Sequence, residues 1–402
     1  MNHIELLKSL SKETPSKIIY FVMDGVGGLP TPESELTELE AANTPNLDKL
    51  AYNSSLGLSI PIFPGITPGS GPGHLAIFGY DPLEHQIGRG ALSAAGVGFQ
   101  QGDDDIAARI NFCTIDSNGN VTDRRAGRIA TDICDNLCKK ISETVKLDGV
   151  KFFIQAEKEH RAMVVFRGKG LSDKLTDTDP QKTGVPPKAV KAMEPEADKA
   201  AAVINDFLAK VKETLKEEHP ANMMLLRGFA SKPVIPQFQD VYKLNPLAVA
   251  VYPMYKGLAH LVGMNVLQGL NNLDDQMDAL RKHWNDYDFF FVHFKYTDSR
   301  GEDGDFAKKV QMIEEADKYI PQLLDLNPDC LIVTGDHSTP AVMKSHSWHG
   351  VPFLLFSQYA RRDKSEAFNE STCAKGSLGN FEAKYALSLA MAHAMKLEKF
   401  GA

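Results

Sequence analysis

The chain has 402 residues, 43% hydrophobic and 24% charged, with a formal net charge of −8. Such a length suits about two to three domains, and such a composition an ordinary globular protein. The acidic balance argues against a general nucleic-acid binder, and no apolar run reaches the roughly 18 residues of a membrane span, so neither partner is expected.

Residues 1–17 are polar and amphipathic, without the apolar centre of a signal peptide. Lys17 to Met23 then reads as a buried strand, and it ends on Asp24 and Gly25. A Gly/Pro-containing loop follows over 24–32, and Thr44-Pro45 starts a helix through Leu47, Leu50 and Ala51. Over 61–73 the chain is punctuated by glycine and proline, and this loop contains Ser70 between Gly69 and Gly71. The run His74 to Phe78 after it suggests a helix start, whose N-terminus would favour an anion.

The middle of the chain has a different texture. Strands are predicted over 107–114 and 151–167, and helices over 128–140 and 194–218. This stretch is rich in arginine: Arg89, Arg109, Arg124, Arg125, Arg128, Arg161, Arg167 and Arg227. The pattern of a strand followed by a metal-ligand residue resumes only after Leu247. An α+β domain at 91–235 is therefore expected inside a discontinuous α/β domain formed by 1–90 and 236–402.

A second buried-looking strand covers 288–296 and is followed by Thr297 and Asp298. A helix is predicted over 305–324. The third strand, Cys330 to Thr334, leads to Gly335, Asp336 and His337. A last helix is expected over 381–396. Near-continuous apolar runs of this kind suit central strands of a parallel sheet covered on both faces. Open α/β sheets bind ligands beyond the carboxyl ends of their strands. Asp24, Asp298, Asp336 and His337 therefore point to one site, read here as a two-metal phosphoryl-transfer centre.

Each residue also has a plainer role. Asp24 could be a turn aspartate, Asp336 a helix cap, and 298–305 a solvated acidic loop. Asp298 and Glu302 are four apart and would converge on one ion if that loop turned helically. Between His346 and His349, the latter, next to Gly350, is the preferred ligand. A serine such as Ser70 needs a base or metal to attack phosphorus. The five cysteines are odd in number and lack a C-x-x-C pair, which fits reduced thiols in a cytoplasm.

These segments resemble the cofactor-independent phosphoglycerate mutases, the archaeal-type branch of the alkaline phosphatase superfamily. The matching blocks are Met23-Asp-Gly-Val-Gly-Gly28, Thr44-Pro-Asn-Leu-Asp-Lys-Leu50, residues 68–82 around Ser70, Gly88-Arg-Gly90, 123–129, Glu159-His-Arg161, 292–305 and Gly335-Asp-His337. The resemblance implies an alkaline-phosphatase-like, mostly parallel sheet domain with an inserted α+β domain closing over the cleft. It implies interconversion of 2- and 3-phosphoglycerate through a phosphoserine at Ser70, with two divalent ions and no 2,3-bisphosphoglycerate. One ion would be held by Asp24, Ser70, Asp336 and His337, the other by Asp298, Glu302 and His349. Family members often carry histidine where Glu302 stands and an acidic residue where Gly71 stands. Glutamate makes the site harder, favouring Mn²⁺ or Mg²⁺, with Co²⁺ or Zn²⁺ as alternatives. Arg161, Arg227 and Lys256, with Arg125 and Arg128 behind them, are the expected substrate clamps. A phosphatase or mutase for another small phosphorylated metabolite, and a catalytically silent homologue, are the alternatives; the oligomeric state is left open.

Overall fold

The computed structural model describes residues 1–401. Contacts divide the chain into two units, Met1–Gln86 with Ile235–Ala402, and Ile87–Val234.

The larger unit is built on an eight-stranded sheet. Its order is Gly379–Glu382, Ser55–Ile60, Val351–Ser357, Cys330–Thr334, Ile18–Met23, Phe289–Phe294, Pro246–Ala250 and Asn265–Val266. The five strands from Cys330–Thr334 to Asn265–Val266 are mutually parallel, whereas Val351–Ser357 is antiparallel to both its neighbours. The mostly parallel α/β architecture read from the apolar runs is the one observed. The three runs that end on acidic residues are adjacent, with Ile18 opposite both Phe289 and Cys330. Every residue of these three strands is buried, which explains why they lack polar alternation. One face packs Ile19, Phe21, Val292 and Leu331 against helices that include Pro45–Tyr52 and Phe306–Asp317. The other face is aromatic: Phe291 meets Phe78, Phe289 meets Phe238 and Tyr20, and Tyr255 stacks on His293, all buried.

Two predicted helices differ in the structure. The segment 305–324 is two helices, Phe306–Asp317 and Ile320–Asp325, because Pro321 cannot donate to a continuous ladder and instead begins a new helix. Phe381 lies in an edge strand paired with Ser55–Ile60, so the last helix is only Ala386–His393.

The smaller unit holds a five-stranded antiparallel sheet. Its central strand, Asp105–Ile115, pairs with Arg161–Arg167 on one side and Met223–Ser231 on the other. Ile106, Ala108, Ile110 and Phe112 face the helices Thr131–Thr144 and Asp198–Leu215 in one core. The helix predicted from 128 starts at Thr131, after a 3-10 turn in which Ala126, Gly127 and Arg128 have φ of 45°, 62° and 53°. All five cysteines are buried free thiols. Among the described residues no helix is long and apolar enough to cross a membrane.

Candidate active site

Because three adjacent parallel strands end together, the residues that follow them meet. Asp24 lies at the end of the central strand, with its backbone N–H donating to Phe294 O at 2.9 Å. Gly25 turns the chain at φ 64°, and a Cβ there would stand 2.5 Å from Thr339 Oγ1 and 2.9 Å from Asp298. Only glycine admits this approach of the three loops. Lys309 ties two of them from behind. Its buried ammonium donates to Gly27 O (2.9 Å) and Thr339 O (2.8 Å), and Glu38 lies 4.0 Å away. A buried charge persists only with such partners.

Asp24, Asp336 and His337 form one group whose donor atoms lie within 4.8 Å of one another, all buried. His337 Nε2 is 3.1 Å from Asp336 Oδ2, 3.4 Å from Asp24 Oδ1 and 3.2 Å from Ser70 Oγ. Ser70, expected in a loop before a helix from His74, is itself the first residue of an eight-residue helix, Ser70–Ile77, whose first N–H groups have no partner within the helix. Two further buried histidines back the carboxylates. His293 Nε2 is 3.0 Å from Asp24 Oδ2, with its ring stacked on Tyr255, and His74 Nδ1 is 3.0 Å from Asp336 Oδ2. Neither histidine belongs to the ligand set that the sequence suggests. His293 was legible as a lone polar residue in an apolar strand, and His74 as the residue four after Ser70.

Asp298, His337 and His346 form the second group. Asp298 Oδ1 accepts from Thr339 Oγ1 at 2.7 Å and is 3.6 Å from His346 Nε2. Lys295 donates to Asp298 and lies 3.4 Å from Asp24 Oδ2, so one ammonium spans a carboxylate of each group. Helix Tyr296–Asp303 does turn the acidic segment helically, but Glu302 stays 56% exposed, with Oε1 3.9 Å from His346 Nε2. The histidine beside Asp298 is His346, not the preferred His349. The segment is no helix. Ser347 pairs with Ser338 across a β-bridge, which sets His346 over His337 with ring centroids 3.6 Å apart. His349 faces Ser347 Oγ at 3.0 Å and stacks on Trp348.

The electrostatics suit a cation. Burial and the neighbouring Asp336 push the Asp24 carboxyl up, yet Lys295 and His293 outweigh them and hold it at about 2. Asp336 is held well below the usual range against its burial, by His337 and His74. His337 is raised to about 9, its own burial overcome by Asp336 and Asp24. Asp24 Oδ1 and Asp336 Oδ2 are buried oxygens without a hydrogen bond. Buried anionic oxygens of this kind, converging with imidazole nitrogens, are what a hard or borderline divalent cation requires.

The smaller unit carries a polar pocket of about 190 Å³, lined by Arg89, Arg109, Asn111, Arg124, Arg125, His160, Arg161 and Arg227. Sheet register builds it. Arg109 and Asn111 are two apart on the central strand, Arg227 is opposite Arg109, and Arg161 is opposite Asn111, so all four share one face. Behind them, fully buried Asp179 accepts two N–H groups from Arg124 (2.9 and 2.7 Å) and lies 3.5 Å from Arg227. Burial pushes that carboxyl up, but the Arg124 fork brings it below its ordinary value. Of the expected clamps, Arg125, Arg161 and Arg227 line the pocket. Arg128 does not, because the left-handed turn leaves it exposed to solvent. Lys256 is in the larger unit, half-buried on helix Pro253–Leu261, where burial lowers its ammonium pKa.

A family model described as 2,3-bisphosphoglycerate-independent phosphoglycerate mutase matches residues 51–222. The chain is 52% identical over 399 residues, 99% of each protein, to a probable 2,3-bisphosphoglycerate-independent phosphoglycerate mutase of Thermosipho africanus. It is 50% identical over the full length of both to the one of Thermus thermophilus. A solved Pyrococcus horikoshii protein superimposes with a TM-score of 0.83 at 31% identity, covering 97% of this chain and 100% of that one. The cofactor-independent phosphoglycerate mutase of Thermoplasma acidophilum does so at 0.72 and 29%, covering 94% and 100%.

Proposed function

The chain belongs to the 2,3-bisphosphoglycerate-independent phosphoglycerate mutases, and from that premise we propose that Ser70 carries the phosphoryl group between the two hydroxyls of glycerate. The activity interconverts 2- and 3-phosphoglycerate, a step of glycolysis and gluconeogenesis, and the family does so without 2,3-bisphosphoglycerate. The enzyme is an isomerase acting on a small phosphorylated substrate.

Asp24, Ser70, Asp336 and His337 would hold one divalent ion, and Asp298 with His346, and Glu302 at its edge, the other. Mn²⁺ suits this mixture of oxygen and imidazole donors, with Mg²⁺, Co²⁺ or Zn²⁺ as alternatives. Such ions, when bound, neutralise phosphate oxygens and favour the ionised serine. The remaining steps belong to the chain. Ser70 Oγ attacks phosphorus in line, the bond from phosphorus to the substrate oxygen breaks, and that oxygen ends with the proton the serine gave up. The retained glycerate then offers its other hydroxyl to the phosphoserine, and Ser70 regains a proton. Lys295 and Lys309 keep the acidic loops together while charge moves. Glycerate must not escape between the half-reactions, and the arginine pocket offers guanidinium forks for carboxylate and phosphate.

The observation that carries this reading is Ser70 Oγ lying 3.2 Å from His337, within the buried Asp24, Asp336 and His337 group. The test is an enolase-coupled assay without 2,3-bisphosphoglycerate, with acid-quenched peptide mapping. Wild-type protein given Mn²⁺ should turn over and yield phosphoserine at position 70. Chelation should stop turnover, and Ser70→Ala should lose at least about a thousandfold. Activity of the alanine variant within tenfold of wild type sinks the covalent route.

A further inference from the structure

The arginine pocket has the wrong chemistry to bind a whole phosphoglycerate by arginine alone. A guanidinium only donates hydrogen bonds. The substrate's phosphate and carboxylate only accept them at neutral pH, so arginines suit both. Its free hydroxyl is different, because the O–H must find an acceptor, and in a pocket that excludes water an unmet O–H is costly.

The lining offers an uncommitted amide oxygen and an uncommitted ring nitrogen. Asn111 Oδ1 and His160 Nδ1 are buried and have no hydrogen-bond partner. His160 is 1% exposed, and the nearest carboxylate, that of Glu159, lies 4.0 Å from its Nδ1. The aspartates behind the pocket are already engaged: Asp179 by Arg124 and the Gln181 N–H, Asp177 by the Gly228 N–H at 2.7 Å. Burial, then Arg161, Arg125, Arg109 and Arg128, lower the His160 pKa to about 4, so the ring is neutral, and with its proton on Nε2 it presents the Nδ1 lone pair to the pocket. Asn111 reaches the pocket from the central strand, directly opposite Arg161, which follows His160 in sequence.

Resting on the reading of this pocket as the substrate's, we propose that Asn111 and His160 form a hydroxyl-recognising subsite, the element that distinguishes a hydroxy acid phosphate from a plain carboxylic acid phosphate. A mutase needs such a subsite more than a phosphatase does. Each isomer presents one hydroxyl, and that hydroxyl is the next phosphoryl acceptor, so it must be held and not merely tolerated.

The test compares two ligands by calorimetry, using full-length, Mn²⁺-loaded protein carrying Ser70→Ala to prevent turnover. One ligand is 3-phosphoglycerate; the other is 3-phosphonooxypropanoate, the same molecule without its hydroxyl. The parent should prefer phosphoglycerate by about tenfold or more. Asn111→Leu and His160→Phe should each bring that preference towards unity by weakening phosphoglycerate alone. His160→Gln, which retains an acceptor, should restore part of it and guards against misfolding of the phenylalanine variant. A parent preference near unity overturns the proposal. So does a preference that survives both substitutions, including the case where both affinities fall together, as a purely structural role would produce. Arg161→Met is the control for the underlying reading. If it leaves both affinities unchanged, the pocket is not the substrate's and that reading fails first.

Discussion

Replacing Gly73 with alanine tests whether the register between helix Ser70–Ile77 and the Asp336 loop matters to chemistry. A Cβ at position 73 would stand 2.3 Å from the backbone oxygen of Asp336 and 3.2 Å from its Cβ. Restoring ordinary contact needs roughly 1 Å of separation. The helix carrying Ser70 must then move away from the loop carrying Asp336 and His337. Overpacking of this kind costs about 1–3 kcal/mol, and alanine returns up to about 1 kcal/mol through helix propensity. The net, about 0–3 kcal/mol, leaves a domain of ordinary stability folded. A misplacement of about 1 Å between reacting groups costs on the order of a hundredfold in rate. Gly69→Ala is the matched control, since its nearest neighbour would be Pro72 Cδ at 3.7 Å and its φ of −86° suits any residue. The enolase-coupled assay should show kcat falling about a hundredfold in Gly73→Ala and less than about threefold in Gly69→Ala, with thermal unfolding confirming both folds. Near-normal turnover in a well-folded Gly73→Ala protein, or an equal loss in the control, would show that this register does not govern the chemistry.

His346→Ala should lower metal stoichiometry and cut turnover by about a hundredfold or more, whereas His349→Ala stays near wild type; metal analysis after gel filtration reads the first, and equal effects would reverse the assignment. Glu302→Ala should weaken occupancy of the same ion without abolishing it, because that side chain is more than half exposed. Asp179→Asn should raise KM more than it lowers kcat, by freeing Arg124 and Arg227 from their shared carboxylate, and cost about 1–3 kcal/mol in urea unfolding; an unchanged KM speaks against a positioning role. For pH, His160 has a folded midpoint near 4 against an ordinary 6.5, so the unfolded chain takes the proton first as pH falls. The contribution of His160 is complete above about pH 6.5 and is lost as pH drops towards 4. His160→Phe should therefore flatten the acid side of the stability profile in that window, and parallel profiles would contradict it.

What could be read from the sequence was local and apolar. Ile18–Met23, Phe289–Phe294 and Cys330–Thr334 are uniformly apolar because both sheet faces are covered, and each is followed at short distance by its acidic residue. What could not be read depends on pairing between distant segments. The choice of His346 over His349 follows from the Ser338–Ser347 bridge, which spacing alone does not reveal. Asn111 and His160 enter the arginine pocket through antiparallel register, where Asn111 meets Arg161 fifty positions away in the chain. The exposure of Arg128 comes from three successive left-handed residues, only one of them glycine.

The central strand has a consequence for biogenesis. Ile18–Met23 leaves the ribosome early, yet its partners are Phe289–Phe294 and Cys330–Thr334. At about 5–20 residues per second, more than 260 residues of further synthesis imply a wait of roughly 15–50 s. During that wait six consecutive apolar residues have no sheet to join, while the antiparallel sheet of Ile87–Val234 has all its strands to hand. In that interval the chain carries an unpaired apolar strand ahead of an insert whose strands are all present.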